Sequence, residues 1–187
     1  MLIAREKKKS NIAEYILYMW QVEDMLRAFQ LNMELVNQHV VKGFQVDEAK
    51  AKEIYDWYDN IIAIMKAEKV EQQGHIQPLK NTVNELTELH FFLLHEAHDR
   101  RYQQIVTMAA GNLVEFRNRS QVGNEVSDVE LALTALYGNL LLRLQKKEIN
   151  PQTATAMESF SKMIGYLAAK YKQMEEEESA QEVNDKG

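Results

Sequence analysis

Residues 11–29 read NIAEYILYMWQVEDMLRAF, and their periodicity decides the fold class. Ile12, Tyr15, Met19, Val22 and Leu26 recur every three or four positions, the spacing of one face of an α-helix. Asn11 can cap that helix, and Glu14 three residues on completes a capping box. Leu17 and Trp20 point away from the main face, so the first half of the helix is apolar nearly all round. Such a helix is buried on several sides, which predicts a central place for it in the fold.

The rest of the chain repeats the helical pattern. A short helix is predicted from Met33 to Val41, capped by Asn32 and stopped at Gly43. A third starts after Asp47, carries Ile54, Trp57, Tyr58, Ile61, Ile62 and Met65, and runs to about Gln72 with Gly74 as its stop. Pro78 suits the first turn of a fourth, whose stripe is Leu79, Val83, Leu86, His90 and Leu93. Asp99 can cap a fifth, Arg100 to Arg119, and no proline or glycine separates it from the fourth. Ser127 and Glu130 form a capping box for a sixth, reaching Lys147. After Pro151, Met157, Phe160, Ile164, Leu167, Tyr171 and Met174 alternate spacings of three and four, a heptad seam suited to a partner helix. Four acids, Glu175 to Glu178, oppose the macrodipole at the end of this helix and predict fraying there. No segment alternates at period two long enough for a strand. The expectation is an all-α protein: a single domain over residues 1–178, built as an irregular bundle of six or seven helices, with a disordered acidic tail at 179–187.

Composition narrows the function classes. The chain has 187 residues and 45% apolar side chains, enough for a sizeable core. It has no cysteine, which excludes disulfides, a thiol nucleophile and iron–sulfur ligation, and fits a cytoplasmic protein. Its longest early apolar run, Tyr15 to Trp20, is far too short to span a membrane. The net charge of −6 comes mostly from the tail and leaves a near-neutral body, which argues against a nucleic-acid partner. Lys7 to Lys9 and Arg100-Arg101 are short basic clusters that read as solvated surface.

Residues 11–24, with Leu136-Tyr137-Gly138-Asn139-Leu140-Leu141-Leu142-Arg143-Leu144-Gln145 later, resemble an uncharacterised bacterial family known only as a domain of unknown function. The resemblance covers about residues 3–174. It implies a small stand-alone helical protein and brings no functional residue with it.

Few catalytic devices are present. No glycine pattern supports a phosphate loop, and no G-x-S-x-G elbow occurs. No histidine has a glutamate three residues before it, as a ferritin-like di-iron site requires. His95-Glu96-Ala97-His98 is one residue short of H-E-x-x-H: a three-residue spacing can still chelate, but the geometry of the motif is gone. His98-Asp99 resembles the pair of helical phosphohydrolases, but no further ligand set accompanies it, and a polar helix junction explains it better. No catalytic, cofactor or metal residue is therefore assigned. His90, on the stripe with Leu86 and Leu93, reads first as a satisfied core histidine. Glu23 shares a side of the first helix with Ile16 and Met19, so it needs a partner, with Arg143 preferred and Arg27 the local choice.

Two readings of function follow. The first is a non-enzymatic interaction or scaffold protein that forms homo-oligomers, a dimer in the simplest case, with a further protein partner allowed. The second is a small-ligand-binding protein or a metal-dependent hydrolase. Its pocket would hold Trp20, Glu23, His90 and Arg143, with Tyr18 and Trp57 as further walls. The balance leans away from an enzyme.

Overall fold

A computed structural model describes residues 2–184. Among these there are eight α-helices and no strand. They are α1 (Leu2–Ser10), α2 (Ile12–Ala28), α3 (Met33–His39), α4 (Glu48–Ala67), α5 (Gln77–Phe91), α6 (Arg100–Ser120), α7 (Asp128–Leu144) and α8 (Pro151–Asn184). A 3-10 turn lies at Val41–Phe44 and a π turn at Phe92–Glu96. The all-α class holds, with α1 additional to the expected helices. Its nine residues are mostly polar and too few to show a period.

The expected caps form. Asn11 Oδ1 accepts from the Ala13 N–H, Asp47 from Lys50, Asp99 from Tyr102 and Ser127 from Glu130. The stops differ. α2, α4 and α7 end with Gln30, Lys69 and Lys146 in the left-handed region, not with glycine. The following N–H reaches back five residues, as in Leu31 to Leu26, Val70 to Met65 and Lys147 to Leu142. These are Schellman closures, and they end α4 at Ala67, before the expected Gln72. The junction near His95 is also settled: α5 widens into the π turn, His98 turns left-handed, and Asp99 caps a separate α6.

The chain gathers into two compact units. The first comprises Met1–Lys9 and Glu14–Thr82. In it α4 packs on α3 and on the 3-10 turn. Ile16, Met19, Trp20, Val22 and Leu26 of α2 are all buried, together with Tyr58, Ile61, Ile62 and Met65 of α4. The apolar periodicity of residues 11–29 thus becomes a helix covered on several sides.

The second unit comprises Ser10–Ala13 and Val83–Gly187. Here α8 packs on α6 and α7, and α6 packs on α7. The first four positions of the heptad seam are taken up within the chain: Met157, Phe160, Ile164 and Leu167 are buried, with Phe116 edge-on to Phe160, while Tyr171 is half-buried and Met174 exposed. Beyond that seam the α8 backbone is helical past Glu175 to Asn184. Glutamate is a good helix former, and Lys172 with Glu176 and Gln173 with Glu177 add one-turn pairs. Residues 185–187 of the expected disordered tail lie outside the described residues.

His90 lies in this unit, buried, with Nδ1 sharing a 2.7 Å hydrogen bond with the buried Tyr102 hydroxyl. Burial holds its imidazole below the ordinary value, opposed by the charge of Asp128. Above that ordinary value the ring is neutral in both folded and unfolded chains. Below it, the unfolded chain takes up a proton that the buried ring refuses. Stability should therefore fall as pH drops from 7 toward 5, by up to about 1.4 kcal/mol per unit for this one proton. Urea unfolding across that range should show a shallower fall in His90→Asn; an unchanged slope would mean that His90 does not carry the effect.

Candidate functional site

The most heavily engaged polar residues of the first unit lie on one line of α2. Trp20, Glu23 and Arg27 are spaced by three and four, so they share a face. That face holds the segment from Val70 to Ile76 between α4 and α5. Glu23 is fully buried. Its Oε1 accepts the Ile76 N–H at 2.9 Å, and its Oε2 lies 2.5 Å from His75 Nδ1. Trp20 stacks on the His75 ring with centroids 4.4 Å apart and planes 12° from parallel. One turn further, Arg27 donates to Asp24 Oδ1 at 2.9 Å, to the Val70 carbonyl at 3.1 Å and to the Gly74 carbonyl.

Each contact has a physical reason. A buried carboxylate is costly unless its oxygens are bonded, and both oxygens of Glu23 have a partner. The loop amides and carbonyls need partners away from a helix or sheet, and α2 supplies them. Gly74 adopts φ +84°, which a side chain rarely tolerates, and this turns the chain so that its carbonyl meets Arg27. Val70 and Ile76 at the two ends of the loop are buried.

The cluster also has the form of an oriented imidazole. Nδ1 is held by a buried carboxylate, and Nε2 has no hydrogen bond to the described residues. A general base is oriented in this way. An open cleft of about 780 Å3 on the same unit is lined by Arg27, Gln30, Leu31, Lys66, Glu71 and Gln72, and includes neither Glu23 nor His75. The arrangement therefore fastens a loop more directly than it frames a substrate.

The chain belongs to the family described as a domain of unknown function, DUF4924. The match covers residues 1–178. No curated protein and no solved structure matches the chain. Membership of this family brings no catalytic residue to look for, so the site rests on its own geometry.

The sequence-derived candidates are found as follows. Trp20 and Glu23 sit together in the first unit, with His75 as the third member. His90 is in the second unit, against Tyr102. Arg143 is exposed on α7. The partners expected for Glu23 were Arg143 or Arg27; those observed are His75 and the Ile76 amide, while Arg27 serves the loop carbonyls. A carboxylate can be satisfied by an imidazole and an amide as well as by a guanidinium, and these donors lie on a loop with no periodicity. Gly74 and Pro78 marked that loop, but nothing in its sequence marked His75. Of the further walls, Tyr18 is hydrogen-bonded to Tyr58, and Trp57 stands edge-on to Tyr58. His95 and His98 are both exposed. No group of three or more potential metal-ligating side chains occurs among the described residues. No described helix is long and apolar enough to cross a membrane.

Removing the carboxylate should loosen the loop. Glu23→Ala should cost about 3 kcal/mol in urea unfolding, the low end for a broken buried pair because His75 is partly exposed. His75→Ala should cost about 1–3 kcal/mol, and the double variant less than the sum of the two. A Glu23→Ala cost under about 1 kcal/mol would place the pair with weak surface contacts and sink the staple reading.

Proposed function

We propose that this protein is a non-enzymatic interaction protein that self-associates, and that the outer face of α6 is the contact between two copies. The observation behind this reading is an exposed helix face that carries no charge over three turns. Gln104, Thr107, Met108, Gly111, Val114 and Asn118 all lie on the exposed side of α6. Met108 is 75% exposed and Val114 is 61% exposed. In a chain with 27% charged residues, the three turns from Gln104 to Val114 carry no charge, and Glu115, which follows on the same face, is paired with Arg119.

Gly111 adds a second argument. Glycine inside a helix costs about 1 kcal/mol relative to alanine. Nothing within the chain lies within 4 Å of where its Cβ would be, so internal packing gives no reason for the missing side chain. Close approach by another backbone does. Met108 and Val114 would flank that approach and bury their apolar surface. A face whose single acid, Glu115, is paired with Arg119 also lets two chains of net charge −6 meet with few opposing like charges. A two-fold axis through the contact would make it self-complementary. The cysteine-free composition is compatible with a reducing compartment, and we assign the protein to the cytoplasm on that basis.

Sedimentation velocity supplies the test. The wild type should approach twice the chain mass of 21.8 kDa as concentration rises. Val114→Glu and Gly111→Leu should sediment as monomers at the same concentrations, with unchanged helical content. A wild type that stays monomeric at its highest soluble concentration, or variants that dimerise as well as the wild type, would refute the assignment of this face.

A further inference from the structure

We infer that a groove on the second unit, formed by the end of α5, the π turn and α8, docks a basic amphipathic helix of another protein. The residues differ from those of the α6 face, and the inference does not depend on self-association.

The groove has an accessible volume of about 480 Å3 and an apolar floor. Leu89, Phe92 and Met174 make that floor, and Phe92 and Met174 are 43% and 42% exposed. Four carboxylates line it: Glu85 and Glu88 on α5, Glu175 and Glu178 on α8. The two walls repeat one pattern. Glu85, Glu88, Leu89 and Phe92 fall at helical spacings of three, one and three, and so do Tyr171, Met174, Glu175 and Glu178. Each wall therefore presents apolar and acidic side chains along one face.

The charge on this rim is uncompensated. Among the described residues no lysine or arginine forms an ion pair with any of the four glutamates, whereas neighbouring Glu176 is paired with Lys172. The rim charge is dense enough to act on Tyr171. Burial first, and then Glu85 with Glu175 and Glu178, hold its phenol above the ordinary value. The Tyr171 hydroxyl donates to Glu85 Oε2 at 2.8 Å and ties α8 to α5. That tie fixes the spacing of the two walls before any partner arrives, which lowers the ordering cost of binding.

The occupant follows from charge and shape. An apolar floor between two acidic rows matches a helix with an apolar stripe flanked by lysine or arginine. A small cation or a polylysine would satisfy the rim and leave Phe92 and Met174 in water. A second copy of this chain is acidic overall. Its short basic helix α1 already places Lys7 on Glu14 and Lys8 over the Tyr15 ring.

The test uses the full-length protein and a fluorescein-labelled synthetic helix of leucine and lysine, read by anisotropy. Binding should be saturable and weaken with salt. The paired charge reversal Glu88→Lys with Glu175→Lys should weaken it at least about tenfold, as should Phe92→Ser, each at unchanged circular dichroism. A serine–lysine peptide of the same charge should also bind about tenfold more weakly. Equal binding of the two peptides would reduce the groove to a non-specific acidic patch and overturn the proposal. No binding, or variants that bind as well as wild type, would overturn it as well. Val114→Glu should bind the leucine–lysine helix normally, which separates this result from the fate of the self-association reading. If the paired charge reversal instead lowered the sedimenting mass, a second copy would be the occupant and the proposal would fail.

Discussion

A fully buried carboxylate on α2 sets conditions that the rest of the first unit meets. Glu23 lies among apolar side chains, where an unbonded charge would cost several kcal/mol. The chain satisfies it with two consecutive residues of one loop, the His75 ring and the Ile76 amide. Because those donors are adjacent, binding them fixes the loop backbone as well as one side chain. Arg27, one turn on, takes two carbonyls from the same loop, and Trp20, one turn back, covers the imidazole. Three side chains of one helix thus define the path between α4 and α5. The arrangement shares its logic with catalytic dyads, in which a carboxylate orients an imidazole. The open cleft on the same unit is lined by residues other than Glu23 and His75.

The second unit is held by a different kind of constraint. Its three longest helices bury an apolar seam, and their amphipathic spacing accounts for most of the contacts. Polar fastening appears chiefly where helices end or meet. Asp99 caps α6 and also accepts from the Tyr166 hydroxyl at 2.7 Å. Those contacts hold its carboxyl below the usual range, the backbone amide of Tyr102 most of all. Ser127 caps α7 and shares a hydrogen bond with Thr87. One residue therefore ends a helix and ties it to a neighbour at the same time. With its core satisfied internally, this unit still exposes the outer face of α6 and the acid-rimmed groove of α5 and α8. Neither is needed to explain its folding, which is why both carry the functional proposals.

How much was readable in advance depended on the range of the signal. Ile12, Met19 and Leu26, or Phe160, Ile164 and Leu167, declare a buried face through local spacing. Caps at Asn32, Asp47, Asp99 and Ser127 are local as well, because side chain and amide lie within three residues. Helix ends were less legible. Gln30, Lys69 and Lys146 adopt a left-handed conformation that glycine adopts more readily, and their Schellman closures outweigh the modest cost. A search for glycine stops passes over them. His90 was legible as a core residue from its place on the α5 stripe, but its bond to Tyr102 joins two helices and was not.

The sequence by itself determined the helical class, the buried faces, the caps and the need of Glu23 for a partner, since each follows from residues within a few turns of one another. Tertiary structure decided which partner met that need, because His75 lies more than fifty residues away on a loop without periodicity. It also decided that the heptad seam of α8 is spent inside the chain only as far as Leu167, and which apolar side chains remain uncovered. Hydrophobic spacing states that a face must be buried, but it does not name the surface that buries it. That choice belongs to long-range packing, and so do the groove between α5 and α8 and the open face of α6.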